Sequence, residues 1–96
     1  MAKINEKEIK TFSQKNFATK LKVPEGTNYI DASSSEQIKE ALSKGLAAHT
    51  QSCEGNTFLW QNRSKYCAEI YFLSSSQYQE FDSLDEAVDL VASCLE

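Results

Sequence analysis

Between Lys65 and Leu73 the side chains alternate: Tyr66, Ala68, Ile70 and Phe72 fall on one side of an extended chain, Cys67, Glu69, Tyr71 and Leu73 on the other. A period of two marks a strand, because successive Cβ atoms point to opposite faces of the pleat. The first side is uniformly apolar and has to be core. The second carries three apolar residues around one acid, so it also wants cover. Three covers fit the sequence: the first half of the chain, a second copy (a homodimer), or a partner docked on an aromatic patch.

The neighbouring residues read as companions of this strand. Asn62-Arg63-Ser64 supplies a tight turn from a strand at Thr57–Gln61, and Ser74-Ser75-Ser76 a loop to a short third strand at Gln77–Phe81. Ser83-Leu84-Asp85-Glu86 then fits a capping box, in which a hydroxyl and a carboxylate each satisfy an orphan N–H of a helix start. Leu84, Ala87, Val88, Val91 and Leu95 form one apolar stripe, leaving Asp85, Glu86, Asp89 and Glu96 outside with no lysine among them. Asp85 and Glu86 complement the helix dipole by about 0.3–1 kcal/mol each. Asp89 and Glu96 have no such structural reason. Upstream, Glu54-Gly55-Asn56 reads as the end of a preceding helix, with Gly55 in the left-handed position just past it.

Shifted by 49 residues, the first half overlays the second: Phe17 on Tyr66, Leu21 on Ile70, Val23 on Phe72, Tyr29 on Tyr78, Ser34 on Ser83 and Leu46 on Leu95. This register predicts strands at Phe17–Val23 and Asn28–Ala32 joined by the turn Pro24-Glu25-Gly26-Thr27. Ser34 then caps a helix running to about Cys53, with a stripe of Ile38, Ala41, Leu42, Leu46 and His49 that Gly45 weakens by about 1 kcal/mol. Only three overlaid pairs are identical, so shared architecture is the reading rather than shared ancestry. Residues 5–15 read as a strand, with a short helix as the alternative. The expected fold is α+β, a single domain of two similar units spanning 9–49 and 58–96. Each has antiparallel strands and then a helix (βββα-βββα or αββα-βββα), the helices packed on antiparallel sheet.

With 41% hydrophobic and 25% charged residues, three glycines and one proline in 96 residues, the composition is that of an ordinary globular domain. An odd count of cysteines without a Cys-x-x-Cys pair favours free thiols in a reducing compartment. No apolar stretch follows Met1–Glu6, and the run Ile70–Leu73 is far short of the ~18 residues of a membrane span. A cytoplasmic protein without a membrane partner is expected. The net charge of −4 divides unevenly: residues 1–49 hold eight lysines against six acids, residues 50–96 hold Arg63 and Lys65 against eight acids, so +2 and −6.

His49 is the only histidine, and on a continuous helix it would neighbour Cys53 four residues on, the spacing of a thiolate–imidazole pair. It also continues the apolar stripe, as a helix-end histidine would. Zinc held by His49, Cys53, Cys67 and Cys94 is chemically possible, but the spacing matches no zinc knuckle, and Cys67 and Cys94 read better as small buried hydrophobes. The acids Glu80, Asp82, Asp85, Glu86 and Asp89 lack calcium-loop spacing, and no glycine-rich phosphate loop is present. No enzyme motif, metal or cofactor is expected.

The leading expectation is a non-enzymatic binding or inhibitor protein that contacts another protein through an acidic helix face (Asp82, Asp85, Glu86 and Asp89) and an aromatic sheet edge (Trp60 and Tyr71). In size and acidity the chain resembles phage-encoded inhibitors of host defence, including anti-CRISPR proteins, whose acids occupy basic nucleic-acid grooves; the resemblance covers composition and length. The alternative is a nucleic-acid-binding module using Lys15, Lys20, Lys22 and Arg63 as phosphate contacts, with Trp60, Tyr66 and Tyr71 stacking bases. The −6 charge of the half that holds the sheet opposes it.

Overall fold

The computed structural model describes residues 6–17, 20–52, 55–72 and 75–93. Six strands form one sheet in sequence order: β1 (Lys10–Thr11), β2 (Asn28–Asp31), β3 (Ala47–Ser52), β4 (Gly55–Asn62), β5 (Lys65–Phe72) and β6 (Ser75–Phe81). Helix α1 (Ser35–Ser43) joins β2 to β3, and α2 (Leu84–Ser93) follows β6. All neighbouring strands are antiparallel except β2 and β3, where Tyr29 faces Ala47 and Asp31 faces His49 in parallel register. A parallel pair needs a crossover, and α1 supplies it.

The α+β class and the meander of residues 57–81 match expectation, save that Ser75 and Ser76, expected in a loop, already belong to β6, but the two equivalent units do not appear. Residues 20–23 are not strand, β1 has two residues, and residues 6–16 hold two 3₁₀ turns, Glu6–Glu8 and Gln14–Asn16, around β1. The expected helix to Cys53 stops ten residues early. Ser34 does cap it, accepting from the Gln37 amide at 3.2 Å. At the other end Gly45 adopts φ 78, its N–H reaches the Leu42 carbonyl (3.1 Å) and that of Leu46 reaches Ala41 (3.0 Å). That pair of bonds is a Schellman stop, which a residue with a Cβ resists. Gly45 therefore ends the helix rather than weakening its middle, and Ala47–Ser52 goes to the sheet. Gly55, read as a helix end, instead opens β4 opposite Ser52.

The two faces of the sheet are covered by different things. On one, Ile38, Ala41 and Leu42 of α1 and Ala87, Val88 and Val91 of α2 pack on Ile30, Ala48, Leu59 and Ala68. Alanines at the strand centres let both helices approach closely. On the other, Phe12, Phe17, Leu21 and Val23 from the segment between β1 and β2 pack on Ala47, Phe58, Trp60 and Cys67. The first half of the chain thus covers the second face of β5.

The described residues of this strap join no strand ladder, so side chains and a few backbone bonds satisfy its polar groups. The Leu21 N–H donates to Gln14 Oε1 and the Gln14 N–H to Glu25 Oε1, both at 2.8 Å. Phe12 and Thr27 are joined by a 2.7 Å backbone bond, and Gly26 donates back to Phe12. Glu69, only 1% exposed, takes the Lys22 and Val23 amides on one carboxylate oxygen at 2.6 and 3.3 Å. The lone acid on the apolar second face of β5 is therefore the clasp of the strap, its two accepted hydrogen bonds offsetting the cost of burying a polar group.

Candidate functional site

Three polar features are candidates, beginning with His49. It stands on β3, where residues four apart are not the neighbours they would be on a helix, so the basis for pairing it with Cys53 is gone; Cys53 itself lies outside the described residues. The imidazole is committed elsewhere. Nδ1 lies 2.7 Å from Asp31 Oδ1 and Nε2 2.9 Å from Asn56 Oδ1, while Lys10 Nζ donates to Asp31 Oδ2 at 2.6 Å. The chain Lys10–Asp31–His49–Asn56 ties four adjacent strands together. An Asp–His pair is the orienting half of a catalytic triad, but here an amide holds the ring nitrogen that would face a nucleophile. Of the proposed zinc ligands, Cys94 and Cys53 lie outside the described residues, and Cys67 is buried against Tyr78, whose hydroxyl is 3.3 Å from its Sγ. Among the described residues no three His, Cys, Asp or Glu side chains converge as metal ligands.

Burial pulls the Asp31 carboxyl upward, but the bonds from Lys10 and His49 outweigh it and hold it below the usual carboxylate range. A depressed folded value adds stability above the unfolded pKa of about 3.9, and that stability is lost as pH falls through the folded value. Asp31→Asn should therefore unfold at lower urea than the native chain at neutral pH, with the gap closing as the pH falls through the depressed folded value. The carboxyl is half exposed, so added salt should shrink the gap too. A gap independent of pH would show that the charge of Asp31 is idle. The Tyr78 hydroxyl is also shifted, raised by its bonds to Cys67 and to Glu80 Oε2 (2.5 Å), and so stays protonated.

The second feature is an open groove of about 350 Å³ at one end of the sheet, walled by Leu42, Leu46, Trp60 and Arg63. Among the described residues no acid, histidine or cysteine lines it. Arg63, in the β4–β5 turn, holds φ 59, an uncommon conformation for a residue with a Cβ.

The third is the outer side of α2. Asp85, Glu86 and Asp89 are exposed there, and Asp82 is exposed just before the helix. Asp82 pairs with Lys65, and Asp85 with Lys39 of α1 at 3.6 Å. Among the described residues no cation lies within ion-pair distance of Glu86 or Asp89.

The structure separates residues that the sequence reading combined. Trp60 is no sheet edge: it lies on β4, between β3 and β5, only 6% exposed beneath the strap. Tyr71 is half-buried on the same face, its ring 5.8 Å from that of Phe17. The acids of α2 are on the opposite side of the sheet, so aromatics and acids do not share one surface. The same cover removes the base-stacking platform, since Trp60 and Tyr71 are under the strap and Tyr66 packs on the helix side. Lys15, Lys20 and Lys22 remain exposed on the strap, with Lys22 Nζ 5.1 Å from the Tyr78 ring centre, and Arg63 is exposed on the far hairpin. The sequence reading missed the role of Glu69; a single charge within an otherwise apolar strand face was the available signal. Among the described residues no helix is long and apolar enough to cross a membrane. Comparison with protein-family models, curated proteins and solved structures gives no match for this chain.

Proposed function

We propose that this protein is a non-enzymatic binding protein whose outer α2 face, Asp85, Glu86 and Asp89 with Asp82 beside it, occupies a basic surface of another macromolecule, as an inhibitor of the anti-defence type would. One observation carries this reading: the described residues of α2 that are exposed, Asp85, Glu86 and Asp89, are all acids, and Glu86 and Asp89 have no cation partner among the described residues. The exposed pairs of Asp82 and Asp85 exchange readily for cations of a partner, because such pairs contribute little. Aromatic contact through Trp60 and Tyr71 drops out, since both are used in the core.

The test is capture of a partner from extracts of the source cell by the tagged protein, compared with Glu86→Lys/Asp89→Lys. Removing Glu86 from the first turn costs about 0.3–1 kcal/mol of dipole interaction, so circular dichroism should confirm that the variant is folded. Capture is expected to fall at least about tenfold, the scale of 1.4 kcal/mol. It should persist in Lys15→Glu/Lys20→Glu. The reverse pattern, with an oligonucleotide shift that salt abolishes, would replace this reading with the nucleic-acid one.

A further inference from the structure

The two edges of the sheet are treated differently. At one, β1 is two residues long, its Lys10 is engaged by Asp31, and the chain turns into a 3₁₀ segment soon after. Short length and a charged lysine are ordinary ways of blunting an edge. At the other, β6 is seven residues long and, among the described residues, bonded to β5 alone. Its register runs unbroken from Tyr66 opposite Phe81 to Phe72 opposite Ser75, so no bulge turns it away. The sequence Ser75-Ser76-Gln77-Tyr78-Gln79-Glu80-Phe81 has no lysine, proline or glycine and a single charge. Alternate residues of such a strand direct their N–H and C=O groups outward, ready to pair with another chain.

We propose that β6 is a self-association edge, pairing antiparallel with β6 of a second copy so that the two sheets become continuous. A twofold axis perpendicular to the sheet keeps each face on its own side, so self-pairing must centre on one residue. Centring on Tyr78 uses all seven residues; centring on Gln77 or Gln79 leaves residues unpaired. In this register Ser75 faces Phe81 of the second copy, Ser76 faces Glu80, Gln77 faces Gln79, and the two Tyr78 residues face each other. No acid opposes an acid, because the acidic end of each strand lies beside the serine end of the other.

The arrangement also deals with Phe72, 47% exposed and the one large exposed hydrophobic side chain among the described residues. Phe72 stands opposite Ser75 on the helix side of the sheet. Phe81 of the second copy stands on the other side of Ser75, two strand spacings from Phe72, about 10 Å between backbones. The small serine leaves room for the two rings to lean over it. The acidic outer face of α2 is a different surface, so this inference stands or falls apart from the proposed function.

Sedimentation equilibrium of the full chain from micromolar to millimolar concentration tests it. The native chain is expected to approach twice the monomer mass. Gln77→Lys/Gln79→Lys sets lysine against lysine twice across the axis and should weaken the dimer about tenfold or more. Gln77→Lys/Gln79→Glu sets lysine against glutamate and should restore or strengthen it. Gln77 and Gln79 are both exposed, so neither change touches the core. A native chain that stays monomeric throughout overturns the proposal. So does a dimer whose dissociation constant is the same in both double variants, since association would then use another surface.

Discussion

Phe58→Ala is expected to cost about 3–5 kcal/mol, a large share of the 5–15 kcal/mol available to a domain of this size. Phe58 is 1% exposed, and its ring centre lies 5.6 Å from Phe12, 5.9 Å from Phe17, 5.3 Å from Tyr29 and 4.8 Å from His49. Phe12 and Phe17 belong to the strap, Tyr29 to β2 and His49 to β3, so this ring is where the strap meets the sheet. Truncation removes the transfer energy of the ring and leaves a cavity, because strap and sheet are tied independently by Glu69 and cannot simply collapse together. Urea unfolding followed by Trp60, the single tryptophan and a member of the same cluster, reports the loss directly. Amide exchange should rise in residues 12–17 and 20–27 before it rises in α1 and α2. A variant with an unchanged midpoint would mean that the strap does not pack on the sheet, and the covered second face would have to be abandoned.

The second large effect is expected at Gly55, which has φ 122. A Cβ there would stand 2.4 Å from the Tyr71 carbonyl oxygen and 3.0 Å from the Phe72 Cβ. The oxygen is backbone of a paired strand, so it cannot turn aside; either β5 shifts or the β3–β4 hairpin changes path. With the cost of a positive φ added, Gly55→Ala should lose about 2–4 kcal/mol. Gly26→Ala is the control. Its φ is 86, but nothing lies within 4 Å of the added carbon, so it should lose only about 1–2 kcal/mol. Thermal or urea unfolding of the pair separates the steric part from the conformational part, and equal losses would show that the close approach to Tyr71 is not real.

Features readable in the sequence are those whose cause is local. The alternation of β5 to Phe72, the turn at Asn62-Arg63-Ser64, the Ser34 cap and the apolar stripe of α2 to Val91 depend on residues within a turn or two of one another, and each lies where expected, while Leu73 and Leu95 lie outside the described residues. The helix end at Gly45 was equally local but ambiguous, since a glycine in an apolar stripe weakens a helix in one context and stops it in another. What decides is whether Leu46 can swing back onto Ala41 while Ala47–Ser52 finds β2 and β4 as neighbours. Tertiary pairing settles that, and propensity does not.

The candidate surfaces divide the same way. Exposed acids on α2 follow from helical periodicity and needed no coordinates. That Trp60 is core and not an edge, that His49 is bound by Asp31, and that Glu69 is a clasp all depend on segments 18 to 47 residues apart in sequence arriving at one place. The middle strand of the meander announced by its own alternation that both its faces needed cover, because side-chain direction along a strand is a property of the backbone alone. Which chain segment supplied the second cover was decided only by the folded whole, because contact between distant residues depends on the closure of every loop between them.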